Sequence, residues 1–372
     1  MKRKGFLPNR RLVLAGLMSG AADRVLANGP TRSLYPEPRP GGLAESVSRE
    51  RRAPAVESLV TEANLGGEVT FAVIDAQTGE VLETRKPFLP MPPASVAKAL
   101  TATYGLSALG PEHRFRTCLM TDAPIEDGIL QGDLVLVGTG DPTLDTDGLA
   151  VLAAQLKPIG IFEVKGKLLT YGASLPQLRL IDASQPDHVG YNPSVSGLNL
   201  NFNRVHFEWK RAGNGYALAM DARTQKYRPA VSIARISVAD RRAPVYSYQD
   251  LDGVDDWTVA RTALGNGGSR WLPTRVPDAY CSDVFRTLAR SHGISMADGG
   301  ARSSFPAGHR VLAEWQSAQL RDIVGGMLRY STNLTAEVVG LSATRALGGE
   351  VSNLRESGAH MASWFQEHVR MP

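Results

Sequence analysis

The sequence predicts an α+β protein: an antiparallel sheet with helices packed on it, split by a second, β-rich body. Three observations carry this expectation. Strand-like runs open the ordered part of the chain, at Val69 to Ile74, and recur at Leu134 to Val137. Alternating strand patterns then crowd into residues 162–238. Helical periodicity returns near the end, where Leu320, Ile323, Val324, Met327 and Leu328 form one apolar stripe. The 372 residues are enough for two or three domains with a sizeable core. Hydrophobic residues at 43% and charged ones at 21% exclude wholesale disorder and coiled coil.

Taken in order, residues 1–27 read as an export signal. They hold six basic side chains (Lys2, Arg3, Lys4, Arg10, Arg11, Arg24) against one acid, Asp23. The apolar stretch from Leu12 to Ala22 is far shorter than the ~20 residues that cross a bilayer. Arg10-Arg11 followed by Leu12, Val13 and Leu14 has the form of a twin-arginine signal, with a weak cleavage site at Val25-Leu26-Ala27. A periplasmic mature chain without a membrane span is therefore expected. Without the leader the net charge of +4 falls to −1, which removes the main argument for a nucleic-acid partner.

Residues 28–56, with Pro30, Pro36, Pro38, Pro40 and Gly41-Gly42, read as a linker. Residues 57–145 begin the first domain. The strand at Val69 to Ile74 turns through Asp75 to Gly79 into a return strand at Val81-Leu82. After a proline-rich break, a helix runs from about Ser95 to Leu109 and stops at Gly110-Pro111. Residues 146–270 are expected to be the β-rich insert, with strands at Phe162 to Leu169, Val205 to Trp209, Tyr216 to Met220 and Val231 to Val238. Residues 271–372 return to the first domain, where a second helix follows the apolar stripe, starting near Leu334 and ending at Gly348-Gly349.

Two short motifs could carry chemistry. In Ser95-Val96-Ala97-Lys98 a spacing of three puts hydroxyl and amine on one helical face. A serine needs a neighbouring base to become a nucleophile, and a lysine serves only if its pKa is depressed. Bringing it from about 10.4 to near 7 takes roughly 4.6 kcal/mol of environmental bias. Lys98 sits among Ala94, Val96, Ala97, Ala99 and Leu100, an unusual setting for a lysine. Ser331-Thr332-Asn333 falls in the tight link between the two last helical patterns. Each motif also suits plain helix capping, with Lys98 solvated.

Other candidates are weaker. Gly138-Thr139-Gly140 lacks a third glycine and is no dinucleotide loop, and Asp141 suits a turn. His206-Phe207-Glu208 has no partner at metal-ligand spacing, so no metal or cofactor is expected. Cys118 and Cys281 are too few for a disulfide scaffold, although an oxidising compartment would allow them to pair.

Together the two motifs match the Ser-x-x-Lys and Ser-x-Asn elements of penicillin-binding proteins and β-lactamases. The chain resembles the class C low-molecular-mass penicillin-binding proteins, the D-alanyl-D-alanine carboxypeptidase/endopeptidases, from about residue 57 to 368. The resemblance also rests on Gly138-Thr139-Gly140-Asp141-Pro142-Thr143-Leu144 and Leu198-Asn199-Leu200-Asn201-Phe202-Asn203, and it extends past Asn333 through Leu334-Thr335-Ala336-Glu337. The 236 residues from Ser95 to Ser331 exceed the spacing in single-domain β-lactamases and suit a family with inserted domains. The resemblance implies a transpeptidase-like domain with a β-rich insert. It implies Ser95 as nucleophile, Lys98 as base, Ser331 as proton relay and Asn333 as the group orienting the substrate amide. Peptidoglycan stem peptides would be substrates and β-lactams covalent inhibitors. The family's Lys-Thr-Gly element is absent from the 39 residues after Asn333, so the chain looks like a truncated member with an incomplete transpeptidase domain. The alternatives are an inactive wall-peptide-binding remnant or a serine β-lactamase.

Overall fold

Asp75 makes the first turn of the fold. Its carboxylate accepts the backbone N–H groups of Gln77 and Thr78 at 2.9 and 2.7 Å, joining β1 (Phe71–Ile74) to β2 (Val81–Arg85) as an antiparallel hairpin. These elements and α1 (Val56–Ala63), tied to β2 by the Glu57–Arg85 ion pair, belong to a first compact unit that ends at Met91. The computed structural model describes residues 56–369. The expected export signal, and all of the expected linker but its last residue, lie outside the described residues.

The second unit begins at Pro92. A single 3-10 turn, Ala94–Ala97, leads into α2 (Lys98–Leu109), so the α-helix starts three residues later than the sequence suggests. The chain then enters a seven-stranded sheet. Its strands are β3 (Arg116–Thr121), β4 (Ile125–Glu126), β5 (Ile129–Leu130), β6 (Leu134–Gly138) and, after helix α3 (Thr146–Ala154), β7 (Glu163–Tyr171). Next come β8 (Arg204–Ala212), β9 (Gly215–Asp221), β10 (Ala234–Ala239), β11 (Tyr246–Leu251), β12 (Val254–Ala260) and β13 (Gly267–Pro273). Helix α4 (Pro277–Ser291) brings the chain back to the large sheet through β14 (Ser295–Ala301) and β15 (Arg310–Gln316). Helices α5 (Leu320–Tyr330), α6 (Asn333–Ala346) and α7 (Leu354–Val369) follow.

The large sheet has the order β15-β3-β6-β7-β5-β4, with β14 also on β7. It is mixed rather than purely antiparallel: β6, β5 and β14 each run parallel to β7. Crossovers such as α3, between β6 and β7, impose that direction. Leu134 and Leu136 of β6 pack with Leu149 and Leu152 of α3 and with Val284 and Phe285 of α4 in one core. The sheet also runs across both boundaries expected for the insert, since β7 pairs with β6 on one side and with β14 on the other. Two smaller sheets, β13-β8-β9 and β10-β12-β11, share a core around Phe207, Trp257 and Leu272.

The two chain segments that connect the sheet to the helices lie side by side. Arg116 pairs with Gln316, and the N–H groups of Ser317, Leu320 and Arg321 donate to the carbonyls of Phe115, His113 and Pro111. Cys118 and Cys281 are both buried and free, one in β3 and the other in α4. His206 is a buried residue on β8, its ring edge against Trp271. Asp141 is a buried turn former whose carboxylate accepts from Thr143. Among the described residues no helix is long and apolar enough to cross a membrane, and no cluster could hold a metal ion.

Candidate active site

Helices α2 and α6 lie against one another with their N-termini at the same end. Gly105 makes this possible: a Cβ there would fall 2.4 Å from Cγ1 of Val339. One turn away the Tyr104 hydroxyl meets Thr344 at 3.2 Å, and at the N-terminal end Lys98 meets Asn333. Packing of Ala102, Phe115, Ile323, Met327 and Val339 fixes α5 to the same pair.

None of the sequence-derived candidates caps a helix N-terminus with its side chain. The N-cap positions fall on Pro93, Ala97 and Thr332, and no side chain makes a capping hydrogen bond there. All four side chains instead converge. Lys98 Nζ lies 3.1 Å from Ser95 Oγ, 3.4 Å from Ser331 Oγ and 2.7 Å from Asn333 Oδ1. The two serine hydroxyls are 2.7 Å apart. Asn333 uses its other end to donate to the carbonyl of Tyr191 at 2.9 Å, which fixes the orientation of its amide.

Ser331 reaches this position through strain. It holds φ 55° and ψ 40°, the left-handed region, between the end of α5 and the start of α6. A non-glycine residue there costs on the order of 1–3 kcal/mol and persists only where its surroundings dictate it.

Lys98 is 9% exposed while Ser95 and Ser331 are open to solvent. Burial pulls the lysine pKa below its ordinary value, and the Glu337 carboxylate partly opposes that fall. Glu337 is itself pushed upward by burial, with Lys98 acting the other way. A depressed lysine pKa beside a serine hydroxyl is the condition for proton abstraction. Glu337 escapes a motif search, but its position one turn beyond Asn333 on the same helix face is a signal the sequence does contain. Tyr191 contributes only a carbonyl, for which no sequence signature exists.

The loop carrying Tyr191 is held by buried amides. Asn192 Oδ1 accepts from the N–H groups of Ile181 and Asp182, both at 2.9 Å. Buried Arg275 donates to the carbonyls of Arg179, Asn192 and Asp187. Beside this loop, a cleft of about 110 Å³ opens between Tyr191, Phe202 and Arg204 on one wall and Tyr330 to Asn333 on the other.

Comparison with known proteins adds family and fold. The chain is 28% identical over 307 residues to a D-alanyl-D-alanine carboxypeptidase of Actinomadura, covering 76% of this chain and 55% of that one. It is 30% identical over 334 residues to a carboxypeptidase of Mycobacterium tuberculosis, covering 85% of this chain and 59% of the relative. It thus spans less than two thirds of the length of these relatives. In three dimensions it is similar to penicillin binding protein 4 of Haemophilus influenzae, with TM-score 0.68 and 21% identity over 85% of this chain and 71% of that one. That likeness supports the α+β fold with its additional β-rich body. The match to a family model runs from residue 53 to residue 366, through both helices of the site, and on that extent the chain belongs to the D-Ala-D-Ala carboxypeptidase 3 (S13) family.

Proposed function

We propose that the chain provides the acyl-transfer site of a penicillin-binding serine carboxypeptidase/endopeptidase acting on peptidoglycan peptides that end in D-Ala-D-Ala. One observation carries the proposal: a buried lysine amine sits within hydrogen-bond reach of two serine hydroxyls that come from positions 95 and 331. Neutral Lys98 takes the proton from Ser95 as its oxygen bonds to the penultimate carbonyl carbon. The C–N bond then breaks, and Ser331, 2.7 Å from the nucleophile, hands its proton to the departing D-alanine nitrogen as it takes one from protonated Lys98, 3.4 Å away, which returns the lysine to its neutral form. Asn333 orients both Lys98 and the substrate amide. Water then cleaves the acyl-Ser95 ester. A β-lactam opens on the same hydroxyl and stays attached.

We extend the reading to organisation and location. The acyl-transfer domain combines α2 with α5, α6 and α7, and residues 116–316 are its insertion. The leader at 1–27 directs export to the periplasm, with the mature chain starting near Asn28.

A fluorescent penicillin tests the chemistry, because labelling requires acylation and no later step. Label is expected on the peptide containing Ser95, with none on Ser95→Ala. Labelling that persists in that variant would refute the assignment. The export reading is tested by N-terminal sequencing of the periplasmic protein, and cytoplasmic recovery of the uncleaved chain would exclude it.

A further inference from the structure

We propose that Arg204 is the carboxylate-recognising residue of the cleft beside Ser331 and Asn333, selecting peptides whose acyl-donor portion carries an acidic group. The inference rests on the acyl-transfer reading above and names the substrate class of that site.

Arg204 opens β8 and lines the cleft together with Tyr191, Phe202, Tyr330 and Asn333. Its guanidinium carbon lies 5.1 Å from the ring centre of Phe202 and 5.6 Å from that of Trp271. Two aromatic faces hold a planar cation well, yet they leave its N–H donors without acceptors. The Arg204 Nε is buried and has no hydrogen-bond partner. Among the described residues no carboxylate lies within ion-pair distance of it.

Arg275 and Arg223 are treated differently; Arg286 and Arg302 also have a buried Nε without a partner, but Arg286 faces Asp298 at 3.7 Å and Arg302 lies outside this cleft. Arg275 donates to three carbonyls, and Arg223 is paired with both Asp221 and Glu208. An arginine fixed between rings and left without a counter-charge, on the wall of a reactive cleft, is poised to receive an anion from outside the chain. Its planar fork suits a carboxylate, and the small volume of the cleft suits a short side chain.

The surroundings hold this geometry in place. Asn201, Phe202 and Asn203 all adopt left-handed φ values of 50°, 58° and 51°. The two asparagines are anchored, Asn201 to Thr146 and Tyr280, Asn203 to Ser194 and Asn199. The Tyr280 hydroxyl donates to the Arg204 carbonyl at 3.0 Å. The Phe202 ring against the guanidinium is thereby presented by an anchored turn. The cleft also contains Asn333, so an acid bound at Arg204 would lie on the side of the site where the acyl donor is oriented.

The test is equilibrium binding to the Ser95→Ala protein, which cannot turn the ligand over. The ligands are acetyl-Glu-D-Ala-D-Ala and its neutral partner acetyl-Gln-D-Ala-D-Ala. The acidic peptide is expected to bind about tenfold more tightly, the scale of one charge-assisted hydrogen-bonded contact. In Ser95→Ala/Arg204→Met the two affinities should converge, and in Ser95→Ala/Arg204→Lys part of the preference should return. The glutamine peptide reports any general damage to the cleft, and the lysine variant restores the charge on a similar stem. Equal binding of the two peptides to Ser95→Ala, or a preference that survives Arg204→Met, would overturn the inference. Penicillin labelling of Ser95 in the unmodified protein reports on the acyl-transfer reading alone, so the two can fail separately.

Discussion

Lys98 has three hydrogen-bond partners and no carboxylate among them. Its removal should therefore harm proton transfer more than folding. Lys98→Ala is expected to lower the second-order rate of penicillin acylation by about 10²–10⁴-fold, with an unchanged circular dichroism spectrum. The pH profile should show the same group. Acylation needs the neutral amine, so its rate rises with pH through the pKa of Lys98, which burial places below the ordinary lysine range. Glu337 holds that pKa up, so Glu337→Gln should move the rising limb to lower pH. A shift upward would mean that the carboxylate acts on something else. Ser331 separates stability from chemistry, since its left-handed backbone suits glycine. Ser331→Gly should raise the unfolding temperature slightly while slowing acylation. At this scale the sequence was informative where a grouping depends on side-chain type and spacing: it named Ser95, Lys98, Ser331 and Asn333, the four side chains that the structure brings together. It was silent on the Tyr191 carbonyl and on Arg204, whose importance lies in the partners it lacks.

Between elements, the site depends on how closely α2 and α6 approach. A methyl group at residue 105 would meet Val339 at 2.4 Å, too close for any real contact. Gly105→Ala should cost about 1–3 kcal/mol of stability by forcing the helices apart. It should also slow acylation, because the same shift draws Lys98 away from Asn333. Val339→Ala opens space on the facing helix and should recover part of both losses. A double-mutant cycle measures that coupling, and strict additivity would contradict the close-packing argument. Elements with strong periodicity were legible, α5 above all; α4 carries the same kind of stripe in Tyr280, Cys281, Val284, Phe285 and Leu288, although it is not among the helices expected from the sequence. β14 was not legible, because Gly299 and Gly300 within it leave little strand signature. Strand direction in the large sheet was also hidden, since it depends on which distant segment each strand meets.

Over the whole molecule, burial varies steeply. Val135 and Val137 of β6 are almost inaccessible, whereas Val73, Ile74, Val81 and Leu82 of the first hairpin are exposed. Backbone amides of β6 should therefore exchange with solvent only on global opening, and those of β1 and β2 far sooner. Hydrogen exchange read by mass spectrometry checks this, and equal protection would contradict the burial pattern. The paired segments at Arg116 and Gln316 bear on the order of assembly. An unstructured loop of the length between the two serines costs on the order of 5 kcal/mol to close. Zipping β3 against β15 would close most of it and leave α2 and α6 a short local search. On this order of assembly, the body that supplies neither hydroxyl nor amine sets when the reactive cluster can form. A lesion in its sheet would show first as delayed recovery of penicillin labelling during refolding, with the chemistry of the finished protein unaltered.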